Sequence, residues 1–238
     1  MMDTLRRVFF GSQEHPYTYL LIAILLLLFV TPLITDAVGV PWLDDYLIIV
    51  VLIAALNNVA AHRRQVLIGV MLGVPAIAVR FYGAHMGEPS RVGYCVVIVP
   101  TLVFFCYLVW HILNDVLRGR RLTTEKIIGA IVAYLMIGMI WSLAYLLVEV
   151  LEPNSFRVPN DIVSLVRAET ADSPWSVFVY YSFATLTTLG YGDITPVGTM
   201  ARTLSWIESA VGPLYLAILI ARLVGIQVAE GRDNCGDH

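Results

Sequence analysis

The sequence PWSVFVYYSFATLTT at 174–188, continued by LGYGD at 189–193, decides the fold. Its first part is apolar and aromatic but only 15 residues long, short of the roughly 20 that a helix needs to cross a bilayer core. Asp172 or Ser173 can cap it, and Pro174 suits a first helical turn. Such a run reads as a helix that enters a membrane and stops inside it. It must be sheathed in protein, because lipid offers no partner to the backbone groups at its end. Gly190 and Gly192 then alternate with larger residues. Glycine accepts positive φ without steric cost, so the tract can alternate left- and right-handed backbone and turn successive carbonyls toward one axis.

The rest of the chain supplies the membrane context. Of 238 residues, 58% are hydrophobic and only 14% are charged, where a soluble domain carries about a quarter. That balance excludes an ordinary soluble enzyme and a disordered chain. Three cysteines are too few for a disulfide scaffold, and a net charge of −3 gives no field for nucleic acid. Runs with few or no charges predict six spans, at 17–35, 46–61, 65–79, 92–113, 127–148 and 203–223. The second and third are short, but His62, Arg63, Arg64 and Arg80 beside them can snorkel to the headgroups. If the helices alternate, ten of the 15 basic residues share one side, among them Arg6, Arg7, Arg118, Arg120, Arg121 and Lys126. By the positive-inside rule that side is cytoplasmic, with both termini on it. The expected location is a cell membrane, plasma or inner, crossed several times. The first span is read as retained, since no clear cleavage site follows it.

Stacked carbonyls from four such tracts around an axis would replace the water shell of a cation. The preceding helix would aim its negative end at the same place. The stretch 187–193 resembles the selectivity filter of potassium channels, whose pattern is Thr-Val-Gly-Tyr-Gly-Asp; this chain departs from it once, at Leu189. The resemblance runs from Pro174 to Val224 and covers pore helix, filter, the Asp-x-x-Pro turn and inner helix. It implies an all-α membrane protein of six helices with a re-entrant pore helix and an extended filter. It also implies four copies around the axis, because one chain carries one filter tract and no repeat of it. The implied organisation is an interfacial amino terminus at 1–16, a four-helix voltage-sensor-like domain at 17–116, a cytoplasmic linker at 117–126 and a pore domain at 127–226. Within the last lie an outer helix at 127–150, the pore helix at 174–188, the filter at 188–193 and an inner helix at 202–226. A short cytoplasmic tail at 227–238 follows. The K+ sites would be the carbonyls of Thr188, Leu189, Gly190 and Tyr191 with the Thr188 hydroxyl, and the Gly192 carbonyl would face the outer mouth. Tyr180 and Tyr181 would form an aromatic cuff, hydrogen-bonding toward Asp193 and the Tyr191 ring.

The inner helix contains an ionisable residue, Glu208, and a Gly212-Pro213 pair. An ionisable group within a span is a functional candidate. Glu208 can support the filter by accepting hydrogen bonds from the pore helix or filter backbone. It can also form a cation-attracting ring in the cavity, pair with Arg202, or stay protonated. Gly212 and Pro213 are a candidate hinge. Leu216 and Ile220 share a helix face and are candidates for lining the lower pore.

The front helices resemble a voltage sensor without its charges. The fourth span, 92–113, has no arginine, whereas a sensor needs several within the membrane. Voltage dependence is expected to be weak or absent. Asn57 and Asn58 are read as bonding neighbouring helices. With no catalytic constellation, nucleotide-binding loop or zinc spacing, no enzymatic activity, cofactor beyond K+ or nucleotide-binding domain is expected. The expectation is therefore a passive, potassium-selective channel whose partners are K+, the lipid bilayer and three further copies. The alternatives are a non-selective cation channel and a non-conducting accessory subunit of a potassium transport system. The former typically lacks the Tyr-Gly pair, and uptake proteins carry four degenerate repeats in one chain.

Overall fold

The computed structural model describes residues 16–30, 51, 91–118, 123–159 and 174–236. The second span apart from Val51, the third span, Asn57, Asn58, His62 and the amino-terminal segment lie outside the described residues. Five helices carry the architecture. α1 runs over Pro16–Leu25 and continues as a π-helical turn over Leu26–Val30. α2 is Arg91–Arg118, α3 is Thr124–Leu151, α4 is Pro174–Leu186 and α5 is Thr199–Gly236. Two short strands, β1 (Phe156–Arg157) and β2 (Thr195–Pro196), pair antiparallel.

Three of the described helical stretches, Arg91–Leu117, Thr124–Leu151 and Thr199–Val228, are long and apolar enough to cross a membrane. At about 1.5 Å per residue each exceeds the roughly 30 Å of a hydrocarbon core. The described residues are mostly helical, with one short strand pair, which fits an all-α membrane protein. α4, with 13 residues, is too short to cross. It ends two residues before the expected 188, because Thr187 and Thr188 leave the helix for a turn. α5 starts at Thr199 and runs to Gly236, ten residues past the expected 226.

α3 is the central post. α1, α2 and α4 each pack against it, with α5 against α4 and α3. α1 buries Leu20, Ala23, Ile24 and Leu27 at helical spacing. α2 buries Phe104, Phe105, Leu108 and Ile112 toward α3 and leaves Val96, Val99, Val103 and Trp110 exposed. In a bilayer an apolar exposed face is unremarkable, since lipid tails are as apolar as leucine. A single carboxylate joins α1 to α3. Glu125, in the first turn of α3, accepts the Tyr17 amide at 3.2 Å and the Thr18 hydroxyl at 2.8 Å. It therefore sits near the positive ends of both helices. The Tyr17 hydroxyl donates to Asp115 on α2 at 2.7 Å, which ties three helices at this end.

The first residues of the polar stretch after α3 are locked down. Glu149 accepts the amides of Asn154 at 2.8 Å and Phe156 at 3.2 Å. Asn154 takes a left-handed conformation, with φ of 68°, which asparagine tolerates in a turn. The Ser155 carbonyl accepts from Val197 and Gly198 at 2.7 and 3.0 Å, and a side chain at Gly198 would crowd the Ser155 hydroxyl. Phe156 is buried edge-on against Tyr145, Phe178 and Tyr181, with ring centroids 5.4, 5.2 and 5.3 Å apart. Each such pair contributes about 0.5–1.5 kcal/mol beyond area burial.

Phe156→Ala is thus expected to destabilise the fold by about 3 kcal/mol or more, read as a lower melting temperature of the detergent-solubilised protein. Phe156→Leu should fall between the two. An unchanged melt in Phe156→Ala would show that the strand is not anchored by this ring.

Candidate functional site

A helix leaves its last four carbonyls without partners. In α4 these belong to Phe183, Ala184, Thr185 and Leu186, and each is met. The Phe183 carbonyl accepts the Thr187 amide at 3.1 Å and the Thr187 hydroxyl at 2.6 Å. The Ala184 carbonyl accepts the Gly190 amide and the Thr185 carbonyl the Thr188 amide, both at 3.0 Å. The Leu186 carbonyl accepts the Tyr134 hydroxyl of α3, at a long 3.5 Å. Three of the four partners come from the tract that follows, so the end of the helix shapes that tract directly.

Beyond α4 the backbone alternates. Thr188, Gly190 and Gly192 have φ of 59°, 55° and 79°. Leu189, Tyr191 and Asp193, which lie between and after them, are not among the positive-φ residues. The two glycines take this region freely. Thr188 does not: a β-branched residue at positive φ is a true outlier, and such strain gathers at functional sites. The glycine pattern in the sequence foretold the second and third turns of this alternation and missed the first. The tract from Thr187 to Asp193 is exposed in the single chain, and a Cβ added at Gly190 or Gly192 would meet nothing within 4 Å.

The two tyrosines expected to form a cuff behave differently. The Tyr180 hydroxyl donates to Asp193 at 2.6 Å, and its ring lies parallel to that of Tyr191 at 6.4 Å. Tyr181 does not reach Asp193 or Tyr191. Its hydroxyl shares a 2.7 Å hydrogen bond with Ser205 on α5, and its ring meets Tyr145 edge-on at 5.0 Å. Adjacent residues on a helix point about 100° apart, so one faces the tract and the other faces the helices behind it. Asp193 also accepts the Ile194 amide at 2.9 Å. The Tyr180 bond holds the Asp193 carboxyl below its ordinary range and pushes the Tyr180 phenol up.

Behind the tract, Glu208 is fully buried. One carboxylate oxygen accepts the Ser182 hydroxyl of α4 at 2.6 Å, and the other accepts the Tyr145 hydroxyl of α3. Its hydrogen bonds are therefore with side chains of α4 and α3, not with the backbone of the 187–193 tract. Arg202 does not pair with it; the guanidinium of Arg202 donates to the Pro196 carbonyl at 3.3 Å. Above this knot, the Trp175 indole donates to Ser142 at 3.1 Å, and Ser142 donates to the Met139 carbonyl at 2.7 Å. Sequence reading missed Tyr145, Ser142, Ser182 and Trp175. The available signal was that tyrosine, serine and tryptophan within apolar helices must find polar partners. Of the hinge pair, Gly212 is buried with its α-carbon side against the Leu186 carbonyl, where any side chain would overlap it, and Pro213 is exposed. Leu216 and Ile220 are exposed as well. α2 carries arginine only at its two ends, Arg91 and Arg118.

Residues 131–227 match the family model described as an ion channel. That segment reaches from α3 through most of α5 and includes α4 and the alternating tract, somewhat under half of the 238-residue chain. No curated protein and no solved structure matches the chain. The match supports an ion-channel family, and the helices around the tract fit a membrane-embedded channel.

The Tyr180–Asp193 bond has a pH signature. A depressed carboxyl contributes stability above the ordinary aspartate value, about 3.9, and that contribution is lost as pH falls through the lowered value. Tyr180→Phe removes the cause of the depression. Loss of ion flux on acidification of the side that Asp193 faces should then begin at higher pH in Tyr180→Phe than in the wild type. Coincident acid profiles in a liposome flux assay would overturn this reading.

Proposed function

We propose that the chain is one subunit of a potassium-selective channel in which four copies place the 188–192 tract around a common axis. The alternation of positive φ at Thr188, Gly190 and Gly192 carries the reading. It lets consecutive carbonyls face the same side, as a column of oxygen ligands for a dehydrated cation requires. The exposed side of the tract is the side the other copies would complete. The little-covered surface of α5, with Trp206, Leu214 and Ile218 exposed, is where neighbouring inner helices and lipid would lie. No covalent chemistry is involved: the ion exchanges water oxygens for carbonyls at each site and moves down its gradient. Selectivity rests on the Gly-Tyr-Gly-Asp tract, whose tyrosine and aspartate are fixed by Tyr180. The front helices, with no arginine inside α2, serve as a scaffold with weak or absent voltage response. The termini are cytoplasmic in this reading.

Purified protein reconstituted in liposomes should support K+ flux down a gradient and exclude Na+ by about a hundredfold, a difference of about 2.7 kcal/mol. Equal K+ and Na+ fluxes would refute selectivity, and no flux of either would favour the non-conducting alternative. Leu189→Val should conduct at least as well as the wild type, because a β-branched side chain stiffens an extended backbone. Reduced flux in that variant would show that Leu189 is itself tuned to its place.

A further inference from the structure

Two contacts between α4 and α5 share one register. Ser182 on α4 meets Glu208 on α5 through the 2.6 Å hydrogen bond. One turn further inward, Leu186 meets Gly212, with the Leu186 carbonyl seated where a Gly212 side chain would be. Each pair is separated by the same 26 residues, and each helix advances four residues between contacts. The helices therefore lie in step over one full turn. We propose that Glu208 and Gly212 are positioning residues for the filter, fixing the depth of α4 along α5 and thereby the spacing of the filter carbonyls.

The physical path is short and continuous. Glu208 is itself pinned by the Tyr145 hydroxyl of α3, and the Ser182 hydroxyl also lies 2.8 Å from the Gly138 carbonyl of α3, its one proton shared between that carbonyl and Glu208. The height of α4 is thus set against two helices at once. Tyr215, one turn below Gly212, donates to the Ala130 carbonyl at 2.7 Å, and its ring lies 5.5 Å from that of Tyr134. Tyr134 in turn reaches the Leu186 carbonyl. From Leu186 only Thr187 intervenes before Thr188, the first left-handed residue of the tract, and the Gly190 amide is bonded back to Ala184. A shift of α4 along α5 moves these anchor points together. In this view Gly212 is glycine because the Leu186 carbonyl needs the space, and any bending belongs to the exposed Pro213 beside it.

This inference rests on the channel reading, and the experiment separates the two. Liposome fluxes of K+ and Na+ are measured for the wild type, Ser182→Ala, Glu208→Gln, their double variant and Ser182→Thr, with K+ concentration varied. Bound ions stabilise the ordered filter by mass action, so a filter with misplaced carbonyls needs more K+ to hold its shape. Ser182→Ala and Glu208→Gln should each raise the K+ concentration for half-maximal flux about tenfold and admit more Na+. The double variant should be less damaging than the sum of the two singles, because the singles share the Ser182–Glu208 bond. Ser182→Thr, which keeps the hydroxyl, should restore wild-type behaviour. Gly212→Ala should displace the Leu186 carbonyl and lose Na+ exclusion. As that variant risks misfolding, the Ser182 and Glu208 variants, checked for intact assembly by gel filtration, carry the decision. Wild-type K+ dependence and Na+ exclusion in those variants would overturn the inference, including the case where only their melting temperatures fall. A wild-type protein that fails to prefer K+ would overturn the channel reading on which the inference stands.

Discussion

A helix leaves its last four carbonyls without partners inside it, and much of what surrounds α4 follows from that constraint. The chain does not run on into a second crossing. It folds back so that the amides of Thr187, Thr188 and Gly190 take up the carbonyls of Phe183, Thr185 and Ala184. This local closure forces the left-handed turn at Thr188, and the alternation continues through the two glycines. Among the described backbone hydrogen bonds, none reaches the carbonyls of 188–192. In hydrocarbon that would be a liability of several kcal/mol per group. In the proposed channel it would be the ligand set.

The second demand is to hold a carboxylate where it is fully enclosed. A buried acid is tolerated only with hydrogen-bond partners, and Glu208 receives one from each neighbouring helix, Ser182 of α4 and Tyr145 of α3. The aromatic rings around it, Tyr145, Tyr181, Phe156 and Phe178, meet edge to face. Apolar surface alone gives little direction to helix packing in lipid, so these directional contacts specify how α3, α4 and α5 sit together. Breaking one partner leaves the acid under-satisfied, which makes the arrangement specific and sensitive to substitution.

Much of this was legible in the sequence because it is local. The length of the apolar run at 174–188, the glycine spacing and the absence of arginines within 92–113 are each set by nearby residues. The long-range parts were not. Thr188 carries no signature of positive φ, since the strain is imposed by the α4 closure. Phe156 sits in a polar stretch that gives no strand or core pattern, and only the folded chain brings it to Tyr145 and Phe178. Gly212 beside Pro213 has the composition of a hinge, whereas its packing is visible only once α4 lies against α5. Glu208 announced itself as an ionisable residue in a span, but its partners are 26 and 63 residues away. Tyr180 and Tyr181 read as a pair, and helix geometry divided them.

The alternation at Thr188, Gly190 and Gly192 also has a stereochemical meaning. A backbone that changes hand at every second residue is the natural conformation of a polymer of alternating L and D amino acids. Glycine, being achiral, stands in for the D residue at 190 and 192 with φ of 55° and 79°. Chirality, and not side-chain bulk, is then what limits substitution there, since a Cβ at either position would find open space in the single chain. The tract is a mirror-tolerant segment within a chain of one hand, and Thr188 is the one residue in it that takes the foreign hand while keeping its own configuration.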